Sequence, residues 1–262
     1  MPTVTVDRPL AGRAALVTGA ARRIGRAIAL GLAADGADVV VHYGTARDAA
    51  EATARDAAAH GVRAAAVAAD LADPAAIDAL VADAAARFGR LDVVVNSAST
   101  FDRQPLGAIT AADWDRALDV NLRAPFLVCQ AAAPHLAAAL RRDGETALVV
   151  NLADLSGVHP WREHVQHGVS KAGLIHLTRI LARELAPAVR VNAIVPGAIL
   201  PPAGIDVGDD WGSLTRARVP LGRVGDVDDV VRTVRYFAQS PFVTGAVVAV
   251  DGGEGLRGPI GH

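Results

Sequence analysis

The sequence predicts a doubly wound α/β fold on a parallel sheet, and three features of the chain predict it. Short β-branched runs alternate with longer, alanine-rich segments of helical period. Continuous runs such as Val93-Val94-Val95 carry no polar alternation, which suits strands covered on both faces. A glycine turn, Thr18-Gly19-Ala20-Ala21-Arg22-Arg23-Ile24-Gly25, joins the first apolar run to the first helical pattern. The 262 residues are expected to form one domain spanning 1–262, since α/β folds often run to this length undivided.

Strands are predicted, in chain order, at 14–17, 38–42, 63–68, 92–95, 148–151, 190–194 and 246–250, a sheet of about seven strands. Helical patterns fill the gaps at 24–34, 47–60, 74–88, 114–140, 169–185 and 227–238, so each crossover is expected to be right-handed. The one long irregular stretch, 196–219, is rich in Pro, Gly and Asp. A loop of that length in a compact domain reads as a substrate lid, with a plain surface insertion as the alternative.

Composition excludes several classes. A net charge of −2 argues against a nucleic-acid binder held by a basic face. No stretch reaches the ~18 apolar residues of a membrane span, and residues 1–8 lack the apolar core of a signal peptide. The lone Cys129 cannot form an internal disulfide and reads as a buried helix residue, which fits a reducing, cytoplasmic setting.

The glycine turn puts unpaired N–H groups at a helix N-terminus, the arrangement that receives a nucleotide pyrophosphate. Gly19 allows the tight turn and Gly25 the close packing of helix on strand, while Arg23 stands where the fingerprint has its middle glycine. Specificity between NAD and NADP is read at the end of the second strand, where an acid would take the ribose 2′-OH. Here the chain runs Val41-His42-Tyr43-Gly44-Thr45-Ala46-Arg47, with no acid before Asp48. His42, Thr45 and Arg47 can donate to a 2′-phosphate and Arg22 can add charge, so NADP(H) is favoured. Arg47 could equally begin a solvated helix. Asp70 and Leu71, after the third strand, fall near the adenine, although Asp70 could also cap a helix.

Over nearly its whole length the chain resembles the short-chain dehydrogenase/reductase family. The glycine turn carries the resemblance together with Asn96-Ser97-Ala98-Ser99, Asn121, Pro196-Gly197 and the ending from Thr244 to Gly253. A narrower resemblance is to the pteridine reductases and the bacterial dihydromonapterin and dihydrofolate reductases, through the turn with Arg23, Val41-His42-Tyr43, and Asn96 to Phe101. It implies that Gly19, Arg22, Arg23, Ile24, His42, Tyr43, Thr45, Asp70, Leu71, Asn96, Ser97, Ala98, Lys171, Pro196 and Gly197 hold NADP(H). It also implies that Phe101 stacks on a flat heterocycle, with Arg23 and Ser99 beside it. Most of the family place a serine where Asp154 stands, but the pteridine reductases place an aspartate there, and a carboxyl can hand a proton to a ring nitrogen. A homotetramer is implied as well, built on helices 114–140 and 169–185, with the tail 256–262 reaching a neighbour.

The family's Tyr-x-x-x-Lys reads His167-Gly168-Val169-Ser170-Lys171 here. The i, i+4 spacing keeps His167 and Lys171 on one helical face. Three readings of His167 stand open: proton donor, positioning residue with Asp154 and water carrying the proton, or mark of a cofactor-binding protein without turnover. Asp154, His167, Lys171 and Asn121 form the expected catalytic group, Asn121 kinking its helix and fixing a water linked to the lysine. His159, His164 and His167 match no common zinc spacing, and no metal is expected. The expected activity is NADPH-dependent reduction of a pterin- or folate-like C=N or C=O substrate. The alternatives are a carbonyl or 3-oxoacyl reductase or alcohol dehydrogenase, and a cofactor sensor or scaffold.

Overall fold

In the computed structural model, which describes residues 8–201 and 211–256, seven parallel strands form one sheet in the order β3-β2-β1-β4-β5-β6-β7. The strands are β1 (Ala14–Val17), β2 (Asp38–Tyr43), β3 (Ala64–Ala68), β4 (Val93–Asn96), β5 (Ala147–Leu152), β6 (Val189–Pro196) and β7 (Val247–Val250). The helices are α1 (Arg23–Ala34), α2 (Arg47–Ala58), α3 (Pro74–Phe88), α4 (Ala111–Leu118), α5 (Ala124–Asp143), α6 (Val165–Glu184), α7 (Trp211–Arg218) and α8 (Val227–Gln239). The expected doubly wound fold is therefore present. Strand order reverses between β1 and β4, so a crevice opens outside their carboxyl ends.

The period-2 geometry of a strand explains the valine runs. Val39 and Val41 of β2, with Val93 and Val95 of β4, join the core under α1 and α8 around Ile28, Leu32, Val234 and Phe237. Val40 and Val94 face the other way, into the core under α3, α5 and α6 around Ile77, Leu80, Val128 and Leu181. These stretches of β2 and β4 are thus apolar on both faces because each face meets a core. Cys129 is fully buried in the second core, and burial pushes its thiol up to about 12, so it is a packing residue.

Several boundaries differ from expectation, each for a local reason. The expected helix 114–140 begins at Ala111, behind a reciprocal cap between Thr110 and Asp113. It then passes through a π turn, Asp119–Arg123, centred on the buried Asn121. The helix expected at 169–185 begins four residues earlier, at Val165, and so carries His167 within its first turn. The stretch 196–219 contains α7, and residues 202–210 lie outside the described residues. So does the tail from 257 onward. No described helix is long and apolar enough to cross a membrane.

At the amino edge of the sheet Asp92 is 1% exposed and gathers four hydrogen bonds. It accepts from Ala14 N–H at 2.8 Å, from both Arg90 Nε and an Arg90 terminal nitrogen at 2.6 and 2.8 Å, and from Arg142 at 2.8 Å. Removing the carboxylate strands two guanidinium groups and one strand N–H. Asp92→Ala is expected to destabilise the fold by about 3–5 kcal/mol, read as a lower urea midpoint with an unchanged slope.

Candidate active site

A cleft of about 1760 Å³ occupies the crevice at the carboxyl ends of β1 and β4. One end is the glycine turn. Gly19 sits at φ 63°, and a Cβ on it would lie 2.7 Å from Ala98 Cα; a Cβ on Gly25 would lie 2.3 Å from Gly19 O. Arg23 keeps the left-handed conformation of a glycine, φ 57°, at the start of α1. Its guanidinium donates to Pro201 O at 2.6 Å, tying the turn to the segment after β6. The first turn of α1 has no side-chain cap and no acidic residue, so its N–H groups stay open to an anion. Arg22, Ile24, Tyr43, Thr45, Asp70, Leu71, Ser97, Ala98, Pro196 and Gly197 also line the cleft. The cradle fits such a cofactor.

Three expected cofactor residues do other work. His42 is 2% exposed, and its Nδ1 accepts from Gly19 N–H at 3.1 Å, so Nε2 carries the proton and donates to Ala69 O at 3.2 Å. Burial lowers its pKa, the Ala69 contact opposing. A neutral ring with both nitrogens engaged props the turn and cannot serve a phosphate. Asn96 is 3% exposed and absent from the cleft lining; it donates to Asn151 Oδ1 at 2.8 Å and clasps β4 to β5. Asp70 accepts from Ala72 N–H in a local turn, and Asp73 is the cap of α3, with Pro74 in the first turn. Arg47 stands exposed at the start of α2, 3.9 Å from Glu51, the solvated-helix alternative.

At the other end, β5 delivers Asp154 and α6 delivers His167 and Lys171. Lys171 is buried, and its Nζ donates to Leu152 O at 2.9 Å. Desolvation lowers its pKa from 10.5 to about 8, with Asp154 opposing. Burial would raise the Asp154 carboxyl, but the charge of His167 at 3.7 Å and the Ser156 N–H outweigh it, so its pKa is lowered. Ser156 thus serves Asp154 through its backbone. Asn121 is fully buried and holds the loop after β4: its Oδ1 accepts from Thr100 N–H at 2.8 Å, its Nδ2 donates to Thr100 O and to Ser170 Oγ, both at 3.1 Å, and Ser99 Oγ lies 3.1 Å from Oδ1. Phe101 stacks on His164 at 4.6 Å and meets His167 edge-on at 4.8 Å; Trp161 meets His164 edge-on at 5.9 Å. Among the described residues no three His, Cys, Asp or Glu converge as a metal-binding group.

Sequence reasoning missed Thr18, whose Oγ1 accepts from Ser97 and Ala98 N–H at 3.0 and 3.2 Å and so fixes the loop that faces Gly19. It also missed Glu254, which accepts from Ala198 N–H and borders the cleft. Nothing in their local sequence marks either one.

The family described as enoyl-(acyl carrier protein) reductase matches residues 19–254. The chain belongs to the short-chain dehydrogenase/reductase family. It is 34% identical to the 3-oxoacyl-acyl-carrier-protein reductase FabG of Staphylococcus aureus, over 92% of this chain and 97% of that one. A short-chain dehydrogenase of Burkholderia cenocepacia solved with NADP is 37% identical, TM-score 0.86, over 94% and 99% of the two chains. The FolM alternative dihydrofolate reductase 1 of Brucella canis, complexed with NADP, is 36% identical, TM-score 0.87, over 95% and 96%.

The buried Lys171 generates a sign-specific prediction. Below about pH 8 the folded chain holds an ammonium out of water that the unfolded chain hydrates, and the penalty disappears as pH rises from about 8 towards 10.5. That difference is worth about 3 kcal/mol. Lys171→Met is therefore expected to unfold at a higher temperature than the parent at pH 7, while binding dinucleotide more weakly in a fluorescence titration.

Proposed function

We propose that this oxidoreductase uses NADP(H) to reduce a flat nitrogen heterocycle of the pterin or folate class at a C=N or C=O bond. The observation that carries the reading is Phe101. This ring is 40% exposed and lies in a cleft wall with His164 and His167, the latter 3.7 Å from the Asp154 carboxylate, in the same cleft as the dinucleotide cradle. An aromatic wall with an adjacent carboxylate suits a planar ring bearing basic nitrogens. The similarity to FolM supports the substrate class. For the cofactor, no acid stands between Val41 and Arg47, while Arg22 and Thr45 line the cleft as donors.

When bound, the cofactor supplies a hydride. Lys171 would hold its ribose hydroxyls, and the N–H groups at the start of α1 its phosphates. Phe101, Ser99 and Arg23 would orient the substrate ring, His167 would exchange a proton with it beside the Asp154 carboxylate, and Asn121 would hold the Thr100 loop against His167. The similarity to FabG favours a second reading, reduction of a 3-oxoacyl or other carbonyl substrate. A third, dinucleotide binding without turnover, rests on His167 standing where the resemblance implies a tyrosine.

NADPH consumption measured with dihydropterin, dihydrofolate, a 3-oxoacyl thioester and simple ketones decides among the three. The heterocycles are expected to turn over fastest. Loss of the aromatic wall in Phe101→Ala is expected to raise their KM by about two- to tenfold, as stacking is worth about 0.5–1.5 kcal/mol. Faster thioester reduction, or binding without turnover, would replace the reading. The chain is further proposed to assemble as a homotetramer through α5 and α6, which leave Phe126, Val169 and Ile180 exposed. Light scattering on the eluted protein is expected to give four times the 26.9 kDa chain mass.

A further inference from the structure

We propose that His167 exchanges the reaction's proton through Nε2, and that its fixed tautomer makes the neutral site a hydrogen-bond acceptor that donates only as imidazolium. The inference rests on the reductase reading above and adds the polarity and pH dependence of its proton step.

The tautomer follows from the neighbours. His167 Nδ1 lies 2.9 Å from Thr100 O, and a carbonyl only accepts, so Nδ1 carries a hydrogen. The other atom near Nδ1, Asn121 Nδ2 at 3.4 Å, is itself a donor and spends its hydrogens on Thr100 O and Ser170 Oγ. The Asn121 amide cannot be reversed, because its Oδ1 receives the Thr100 N–H. A neutral His167 therefore has a bare lone pair on Nε2. That atom is buried, has no hydrogen-bond partner among the described residues, and belongs to a side chain that lines the cleft.

Asp154 Oδ1 stands 3.7 Å from Nε2, beyond hydrogen-bond range. An ionised carboxylate only accepts, so it is an acceptor too. Two acceptors facing each other in the cleft wall are satisfied by a proton on Nε2 or by a substrate N–H or O–H placed between them. The titratable and charged groups around the ring are few. Asp154 faces it from the segment after β5, Lys171 follows it on α6, and His164 precedes that helix, its own pKa lowered by burial and by His167, with Arg103 acting the same way from the loop after β4. Asn121 and Ser170, from the π turn and α6, are neutral.

In the reductive direction bound NADPH would supply a hydride with its electron pair to the substrate carbon, forming a C–H bond, and would itself become NADP⁺. The π pair of the C=N or C=O bond moves to the heteroatom, which takes the proton from Nε2–H. His167 is left neutral, Asp154 stays ionised, and a solvent proton restores the imidazolium. A tyrosine at this position would behave differently, since a phenol is a donor across the neutral range, with a reference pKa of about 10.

Two measurements test the proposal. Proton–nitrogen NMR of protein labelled with ¹⁵N-histidine, with His167 assigned by its absence from His167→Gln, is expected to show neutral His167 protonated on Nδ1 and bare on Nε2. A proton on Nε2 in the neutral form overturns the proposal. Reductive kcat with dihydropterin is expected to fall about tenfold per pH unit once the imidazolium is lost. His167→Tyr is expected to lack that limb while keeping any fall near pH 8 that belongs to Lys171. A profile shared by parent and Tyr variant overturns the role of His167. If no heterocycle turns over while NADPH still binds, the reductase reading fails, and the NMR result decides the tautomer separately.

Discussion

The whole carboxyl edge of the sheet depends on backbone approaching backbone where no side chain intervenes. Gly19 lies against Ala98 and Gly25 against the Gly19 carbonyl, at separations that a single methyl would violate. This contact brings the turn after β1, the start of α1 and the loop after β4 into one wall. Two further devices hold the wall. Thr18 ties down Ser97 and Ala98 from one side, and the buried ring of His42 takes the Gly19 N–H from the other. The turn is thus stiff before any ligand arrives, which lowers the ordering cost of binding.

The second half of the cleft is organised by Asn121. A mid-helix asparagine competes with its own helix for hydrogen bonds, and here the helix gives way by widening into a π turn. The side chain then reaches a loop from β4 and a hydroxyl on α6 together. Through the Thr100 carbonyl its influence extends to the imidazole of His167. One polar residue with no exposure sets the orientation of a group it does not need to touch.

The sheet was legible because β-branched runs with no polar alternation have few other homes, and the helices between them force parallel pairing. The glycine turn, Phe101, Asp154 and Lys171 were legible because each sits at a fixed offset from a strand end or a helical partner. The π turn was not, because it depends on Thr100 and Ser170, distant in sequence from Asn121. The role of His42 was hidden for a similar reason: a donor at a strand end looks free until the preceding turn folds over it. The cap of α3 was not singled out although its signal was present, a capping role having been offered only as an alternative for Asp70. Asp73-Pro74 has the capping residue followed by the proline that suits a first helical turn, and that pair outranks Asp70.

Arg23 carries an implication for how this surface can drift. Left-handed backbone costs a residue with a side chain about 1–2 kcal/mol, and glycine would be free of it. Arginine and glycine codons differ by a single base, so the cheaper residue is always one mutational step away. The arginine persists only while its guanidinium returns more than the backbone loses, through the Pro201 carbonyl and whatever anionic or aromatic guest occupies the cleft. A lineage that abandoned the guest would be expected to slide to glycine at this site first, long before its core showed any change.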